Sequence, residues 1–259
     1  MASAGARTPT LPSSSLLSSA ALLVDVDNYD ELREVTDDNA FGSRLMDLTR
    51  DLLSICASQV DQLTIRLYGG WFDGAAMTKR ASEFAKLAQR GDPFPILTAE
   101  RRVSGHVELA VGPVAAPGMI LPHTYRRRGT APRLKRTPGF SDPSCCGDAA
   151  CSAKRLAAWS EGPRKQCPTP DCTVTYADAF FGSEQKMIDA LLAMDLIEMV
   201  TFGQMDAVAV VSDDTDFIPA MLYAVHRGDR QVVSMRKRRL DPLLTALLAK
   251  AGVVDLRVA

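Results

Sequence analysis

Short apolar runs that alternate with helical segments most constrain the fold of this 259-residue chain. The runs at 20–28 and 206–212 consist mostly of aliphatic residues and carry acids at one or both ends. Uninterrupted runs of this kind are typical of strands buried on both faces. The alternation with helices predicts an α/β domain, in which a mainly parallel sheet lies between helices as three α/β/α layers.

The segment 183–203 is predicted to form a long helix. Ser183 has the side chain of an N-cap, Lys186 follows one turn later, and Gly203 ends the pattern. Asp189 and Asp195 interrupt this otherwise apolar helix, and at about 3.6 residues per turn they point about 120° apart. We therefore expect Asp189, nearer the helix start, to belong to a site, whereas Asp195 either faces solvent or supports that site.

Two segments depart from the alternation. Residues 1–19 are rich in serine, alanine and proline, and predict a flexible tail ahead of a domain that covers 20–259. Residues 123–172 show little periodicity, many Pro and Gly and an excess of basic residues, which predicts a small insertion in that domain.

No apolar run reaches the length of about 18 residues that a membrane span needs. Because the tail also lacks the pattern of a signal peptide, we expect a cytoplasmic protein.

The insertion contains five of the six cysteines. They include two pairs with four residues between the members of each pair, namely Cys146 with Cys151 and Cys167 with Cys172. Two matched pairs predict a structural Zn²⁺ site of four thiolates. Cys145 is an alternative to Cys146, and His123 is a more distant substitute. The competing interpretation is a set of free surface thiols.

Acidic side chains follow two of the predicted strands at the point where each strand ends. The acids are Asp25 and Asp27, followed by the amide of Asn28, after the first strand, and Asp213, Asp214 and Asp216 after the later one. The carboxyl ends of parallel strands meet at one edge of a sheet, so we expect one shared site. Mutual repulsion of the carboxylates would be relieved by Mg²⁺ or Mn²⁺. The alternative is that each acid only caps a helix or a turn.

Three blocks of the sequence resemble the NYN family of PIN-like nucleases, especially its LabA-like branch. The blocks are LLVDVDN, EQKMIDALLAMDL and VAVVSDDTDFIPAMLYAVHRGDRQVV, in the order and spacing of that family. The last block is the most specific, because the family's pattern of Ser, two acids and Phe followed by Pro is present from Ser212 to Phe217 and at Pro219. Asp213 departs from the pattern, since relatives usually carry Gly there.

The resemblance implies a PIN-like fold and RNA cleavage with a divalent metal held by acids. It implies five catalytic or metal-binding positions: Asp25, Asn28, Asp189, Asp214 and Asp216. Ser212 would position the last two acids. We assign supporting roles to Asp27, Asp195 and Lys186.

Basic residues lie ahead of the cysteines: Arg126, Arg127, Arg128, Arg133, Lys135 and Arg136. A cationic arm beside an acidic site can bind a phosphate backbone, so RNA is the expected partner, with DNA as an alternative.

Tyr125 and Trp159 either stack on bases or pack within the insertion. The run 236–239 either extends the same groove or faces water. A homo-oligomer or a protein partner is left open.

The leading hypothesis is a metal-dependent endoribonuclease. A phosphatase of the haloacid dehalogenase type is one alternative, with Asp25 as nucleophile, Asp27 as acid, and Thr98 and Lys186 as further motif residues. A catalytically silent nucleic-acid-binding scaffold is the other alternative, in which Asp213 has disturbed the turn after the later strand.

Overall fold

The computed structural model describes residues 18–56, 60–98, 101–128, 151–161, 166–167, 169–179, 182–203 and 205–258. These residues form two compact units. The sheet unit contains the described residues of 1–68, 83–119 and 189–259, and the insert unit contains those of 69–82 and 120–188. Most of the predicted tail, residues 1–17, lies outside the described residues.

A seven-stranded sheet forms the centre of the sheet unit. Its strands, in chain order, are β1 (Ser19–Asp25), β2 (Gln62–Tyr68), β5 (Ile96–Leu97), β6 (Arg102–Leu109), β9 (Ala207–Val211), β10 (Gln231–Arg236) and β11 (Val254–Arg257). Across the sheet the order is β11-β10-β9-β1-β2-β6-β5. Every neighbouring pair is parallel except β5 with β6. The prediction of an α/β fold with a mainly parallel sheet is therefore confirmed.

The central strands explain why the sequence folds this way. All five residues of β9 are buried, as are six of the seven in β1. Strands covered on both faces need apolar side chains at every position, whereas a half-exposed strand would alternate. Ser19 begins β1, and its backbone N–H donates to Asp206 Oδ2 at 3.1 Å. The buried runs thus fix the middle of the sheet.

Six helices in the described ranges connect these strands. They are α1 (Asp30–Arg33), α2 (Asp38–Ile55), α3 (Lys79–Arg90), α6 (Ile188–Thr201), α7 (Ile218–Arg227) and α8 (Pro242–Ala251). All but the first residues of α3 and α6 belong to the sheet unit. Both ends of α8 are capped, because Asp241 accepts the N–H of Leu243 and Gly252 follows in a left-handed conformation with φ 87°. Phe41 of α2 meets Phe84 of α3 edge to face at 6.0 Å.

The start of α6 differs from the prediction. Residues 182–185 form β8 (Gly182–Gln185), which pairs antiparallel with β7 (Tyr125–Arg128). Met187 then adopts a left-handed backbone with φ 66°, which a helix cannot include, so α6 begins at Ile188. The prediction of Ser183 as N-cap is wrong, because backbone pairing with a distant segment overrides the local capping signal.

The insert unit also contains a short hairpin, β3 (Phe72–Asp73) with β4 (Ala76–Met77), and two helices, α4 (Ser152–Glu161) and α5 (Tyr176–Ala179). Trp159 of α4 packs edge to face on Tyr176 at 5.8 Å between ring centroids. This contact favours packing over base stacking for Trp159. Among the helices of the described ranges, none has the length and apolar character needed to cross a membrane.

Candidate functional site

The order of the strands reverses between β1 and β9. The chain passes from β1 to β2 on one side and later returns to β9 on the other side of β1. Val24 pairs in register with Val211, so the next residues, Asp25 and Ser212, lie side by side at the carboxyl edge. Open α/β sheets bind ligands at such a switch point. The structure therefore brings the two predicted acidic segments to one edge.

Asp25 lies at the centre of this edge and is only 1% exposed. Its Oδ2 accepts hydrogen bonds from Asn28 Nδ2 at 2.7 Å and from Ser212 Oγ at 2.9 Å. A 3₁₀ turn over Val26–Asn28 carries Asn28 back towards the end of β1. Burial raises the pKa of Asp25, the two hydrogen bonds oppose this, and the charges of Asp189 and Asp27 raise it further.

The segment 212–216 is held by its own side chains. Ser212 Oγ accepts the N–H of Asp214 at 3.1 Å, and Asp214 Oδ1 accepts the N–H of Asp216 at 2.9 Å. Side chains that bond to backbone two residues ahead stabilise tight turns. Asp214 and Asp216 are thereby fixed in a turn that begins beside Asp25.

Asp189 lies in the first turn of α6. Burial raises its pKa, and so do the negative charges of Asp214 and Asp216. Because Asp189 in turn raises the pKa of Asp25, the carboxylates of all three segments share one electrostatic environment. We call these four residues, Asp25, Asp189, Asp214 and Asp216, the acidic cluster. No described cationic side chain forms an ion pair with any of them.

The acidic cluster offers carboxylate oxygens, which are the ligands preferred by Mg²⁺ and Mn²⁺. Within the described ranges, however, no three or more His, Cys, Asp and Glu side chains are placed to hold a metal ion together. Mg²⁺ commonly uses only one or two protein carboxylates and completes its shell with water and substrate phosphate. The donor chemistry therefore fits a loosely held Mg²⁺ or Mn²⁺, and does not fit a closed protein cage.

Asp195 does not face solvent, so that alternative is wrong. It is 1% exposed, and its Oδ2 accepts from the Tyr68 hydroxyl at 2.8 Å and from Arg66 Nη2 at 3.2 Å. Its Oδ1 accepts the N–H of Val114 at 2.8 Å. Burial raises the pKa of Asp195, and the Val114 N–H, Tyr68 and Arg66 oppose that rise. Asp195 thus anchors α6, which also carries Asp189, to the end of β2.

Three other predicted residues have local roles. Asp27 lies half-buried in the 3₁₀ turn, where its charge acts on Asp25. Lys186 precedes α6 instead of lying in its first turn, belongs to the insert unit, and donates its backbone N–H to the Thr124 carbonyl. Thr98 bonds to the Arg101 carbonyl in the turn before β6, at the amino edge of the sheet. This position does not favour the phosphatase alternative.

Asp213 stabilises its surroundings. Its Oδ1 accepts the backbone N–H groups of Lys237 at 2.9 Å and Arg238 at 2.8 Å. It is not among the non-glycine residues with positive φ, so its position does not require glycine. The turn after β9 is therefore formed, and the carboxylate of Asp213 ties it to the segment after β10.

The structure describes three of the four predicted zinc ligands: Cys151, Cys167 and Cys172. Cys146 lies outside the described residues. Hydrogen bonds from Thr169 lower the pKa of the Cys167 thiol, and a hydrogen bond with Cys172 and the charge of Arg155 add to this effect. Cys167 and Cys172 are therefore close neighbours, whereas Cys151 does not join them in a metal-holding group within the described ranges.

Of the predicted nucleic-acid-binding residues, Arg126, Arg127 and Arg128 form β7, and only their backbone is described. Arg133, Lys135 and Arg136 lie outside the described residues. Their predicted contacts with RNA stay predictions.

Sequence reasoning missed two arginines, Arg66 and Arg257. Arg66 is a single charge inside the apolar run of β2, which is a signal that a buried partner exists. Arg257 lies with Arg236, Arg238 and Arg239 around one cavity in the sheet unit. Only the run 236–239 was visible as a cluster in the sequence, because Arg257 reaches it through the pairing of β10 with β11.

Comparisons with known proteins leave the family open. No protein-family model matches the sequence, and no curated protein matches it. A solved structure of a protein of unknown function from Vibrio parahaemolyticus RIMD 2210633 is similar, with 13% identity and a TM-score of 0.37. The match covers 95% of this chain and 96% of that chain.

Proposed function

We propose that this protein is a metal-dependent nuclease that hydrolyses RNA phosphodiester bonds at the acidic cluster, on a three-layer PIN-like domain. The observation that carries this proposal is Asp25, a buried carboxylate at a switch point that faces other acids and no described cation. A fold retains such a charge at a cost in stability. A function that requires a cation at this position explains why it is kept.

The local sequence supports the same function. The block from Ser212 to Phe217 with Pro219 resembles the NYN family, and its side chains make the turn that fixes Asp214 and Asp216. Asp213 does not weaken this interpretation, because it bonds to the backbone of a neighbouring segment. The catalytically silent alternative thus loses the argument that the turn is disturbed.

Each residue of the site has a chemical role in the proposed reaction. Asp25 and one further carboxylate of the acidic cluster would hold Mg²⁺ or Mn²⁺, with water and substrate phosphate completing the shell, and the ion would supply a water of lowered pKa and neutralise charge on the phosphate. Asn28 and Ser212 both donate to Asp25 Oδ2, which orients the carboxylate and directs Oδ1 elsewhere. Asp195 keeps α6, and with it Asp189, in place through Arg66 and Tyr68.

Cleavage of labelled single-stranded RNA, tRNA and DNA, with Mn²⁺ or with EDTA, tests this proposal. We expect Mn²⁺-dependent cleavage of RNA that is lost in EDTA. Asp25→Asn and Asp214→Asn should each reduce cleavage by more than about 100-fold, since loss of outer-shell partners alone costs about 10- to 100-fold.

Glu198→Gln is the matched control. Glu198 also lies on α6, is half-buried and makes no ion pair with a described residue, so its loss should leave cleavage unchanged. Absence of metal-dependent cleavage with all three substrates, or equal cleavage by Asp25→Asn, would refute the nuclease. Metal-independent binding of RNA without cleavage would favour the scaffold.

A structural Zn²⁺ in the insert unit is a separate part of the proposal. The neighbouring thiols of Cys167 and Cys172 support it, together with the lowered pKa of Cys167. Metal analysis of the purified protein should find zinc, and Cys172→Ser should lose it. A zinc-free protein that keeps its fold would contradict this part and leave the nuclease proposal unaffected.

A further inference from the structure

A cavity of about 540 Å³ opens in the sheet unit where β10, β11 and α8 meet. Four arginines and a single acid line it: Arg236, Arg238, Arg239 and Arg257 with Asp255. The remaining lining residues come from the start and one face of α8: Leu240, Pro242, Thr245, Ala246 and Ala249. We call this cavity the arginine pocket. Its positive charge exceeds its negative charge by three, which is the pattern of an anion-binding site.

Arg236 is the fixed part of the arginine pocket. It is 3% exposed, and Ser234 Oγ lies 3.0 Å from its Nε and 2.8 Å from its Nη2. Asp255 Oδ1 lies 3.2 Å from the same Nε. Among the described residues, nothing accepts a hydrogen bond from Nη1, so a buried guanidinium that lines the cavity keeps donor capacity for a ligand.

The other three arginines surround this buried group and are exposed. Arg257 donates from Nε to the Lys237 carbonyl at 3.2 Å. Arg238 Nε lies 3.7 Å from Asp213 Oδ2, which is too long for a hydrogen bond. Arg239 makes no hydrogen bond or ion pair with a described residue. Most of their donors are therefore free to contact a ligand.

The arginine pocket is joined directly to the acidic cluster. Asp213 bonds to the backbone of Lys237 and Arg238, and its chain neighbours are Ser212 and Asp214. One residue thus separates the rim of the pocket from the carboxylates. This connection places both groups within reach of one polyanionic ligand.

We infer that the arginine pocket binds the phosphate backbone of single-stranded RNA beside the bond that is cut. This inference rests on the proposed function. Arginine forks match phosphate geometry, and four of them supply the attraction that the acidic cluster alone would deny to a polyanion. No lining residue is aromatic, so the pocket lacks a stacking platform for bases and should bind without sequence preference.

Binding of a fluorescent single-stranded RNA in EDTA, at several salt concentrations, tests the inference without cleavage. Arg239→Gln and Arg257→Gln should each weaken binding about tenfold at low salt, as expected for loss of a hydrogen bond between charged groups. Each should also lower the slope of log K against log salt by about 0.7, the value for one phosphate contact on a single strand. The double variant should lower this slope about twice as much as either single variant.

Arg102→Gln is the matched control, because Arg102 is exposed at the amino end of β6 and makes no ion pair with a described residue. It should bind RNA as the unaltered protein does. Equal affinity and salt slope for Arg239→Gln, Arg257→Gln and Arg102→Gln would refute the arginine pocket.

The two proposals can fail separately. If the unaltered protein cuts RNA while both pocket variants bind and cut normally, the nuclease stands and the pocket is refuted. If no metal supports cleavage while binding falls only in the pocket variants, the pocket stands and the nuclease is refuted.

Discussion

Two buried aspartates at the same edge of the sheet unit are treated differently by their surroundings. Asp25 and Asp195 are each 1% exposed, and Tyr68, which bonds to Asp195, is the register partner of Asp25 across β1 and β2. Burial raises the pKa of both carboxyls. Arg66, the Tyr68 hydroxyl and the Val114 N–H compensate Asp195, whereas within the described part of the chain Asp25 has only the neutral donors of Asn28 and Ser212.

The difference separates a structural charge from a functional one. Removing one member of a buried ion pair leaves the other charge uncompensated and destabilises the folded state. A carboxylate that is compensated in this way therefore supports the fold. A buried carboxylate without a cation weakens the fold and is typical of sites that bind or react. Asp195 belongs to the first class and Asp25 to the second. The predictions below test this division.

The largest effect is expected on stability. Asp195→Asn should lower the free energy of unfolding by about 3 kcal/mol, the low end of the range for breaking a buried ion pair, because Arg66 loses the aspartate charge and keeps its ion pair with Glu108. Asp25→Asn should not lower it, because asparagine keeps an acceptor for Asn28 and Ser212 and removes a buried charge. Urea unfolding of both variants, with Glu198→Gln as control, measures the contrast. A loss in Asp25→Asn as large as in Asp195→Asn would remove the distinction.

The sequence predicted the location of Asp25 better than the surroundings of Asp195, and the reason is physical. Asp25 and Asp214 follow apolar strands, and any two neighbouring parallel strands bring such residues to one edge. The surroundings of Asp195 depend on Arg66 in β2 and on Val114, which helical spacing does not reveal. Likewise, the start of α6 depends on the pairing of β8 with β7. The meeting of parallel strand ends was predictable from the order of the elements, and the particular side-chain and backbone contacts between distant elements were not.

A cation should stabilise the protein through Asp25 and not through Asp195. At a concentration about 100-fold above the dissociation constant, a ligand specific for the folded state adds about 2.7 kcal/mol. Mn²⁺ should therefore raise the melting temperature of the unaltered protein and of Asp195→Asn. It should leave the melting temperature of Asp25→Asn unchanged. An equal rise in all three proteins would show that the metal binds elsewhere.

The stability of the protein should depend on pH through Asp25, and the direction of this dependence follows from its raised pKa. The pKa of Asp25 in the folded state is raised above 3.8, so its favourable contribution is complete below pH 3.8 and is lost as pH rises through the raised pKa. Asp25→Asn and the unaltered protein should thus be similar in stability at low pH, and the variant should be the more stable one at neutral pH. A constant difference across this range would contradict the assignment.

The smallest effect is expected from the hydroxyl that joins the two acidic segments. Ser212→Ala removes the hydrogen bonds to Asp25 Oδ2 and from the Asp214 N–H, at a cost of about 1 kcal/mol each. Because the bond to Asp25 holds its pKa down, the variant should also shift the acidic limb of the pH profile of kcat/KM to higher pH. Ser212→Thr keeps the hydroxyl and should restore the profile. If Ser212→Ala lost stability and its profile did not move, Ser212 would serve the turn alone and Asp25 would titrate independently of it.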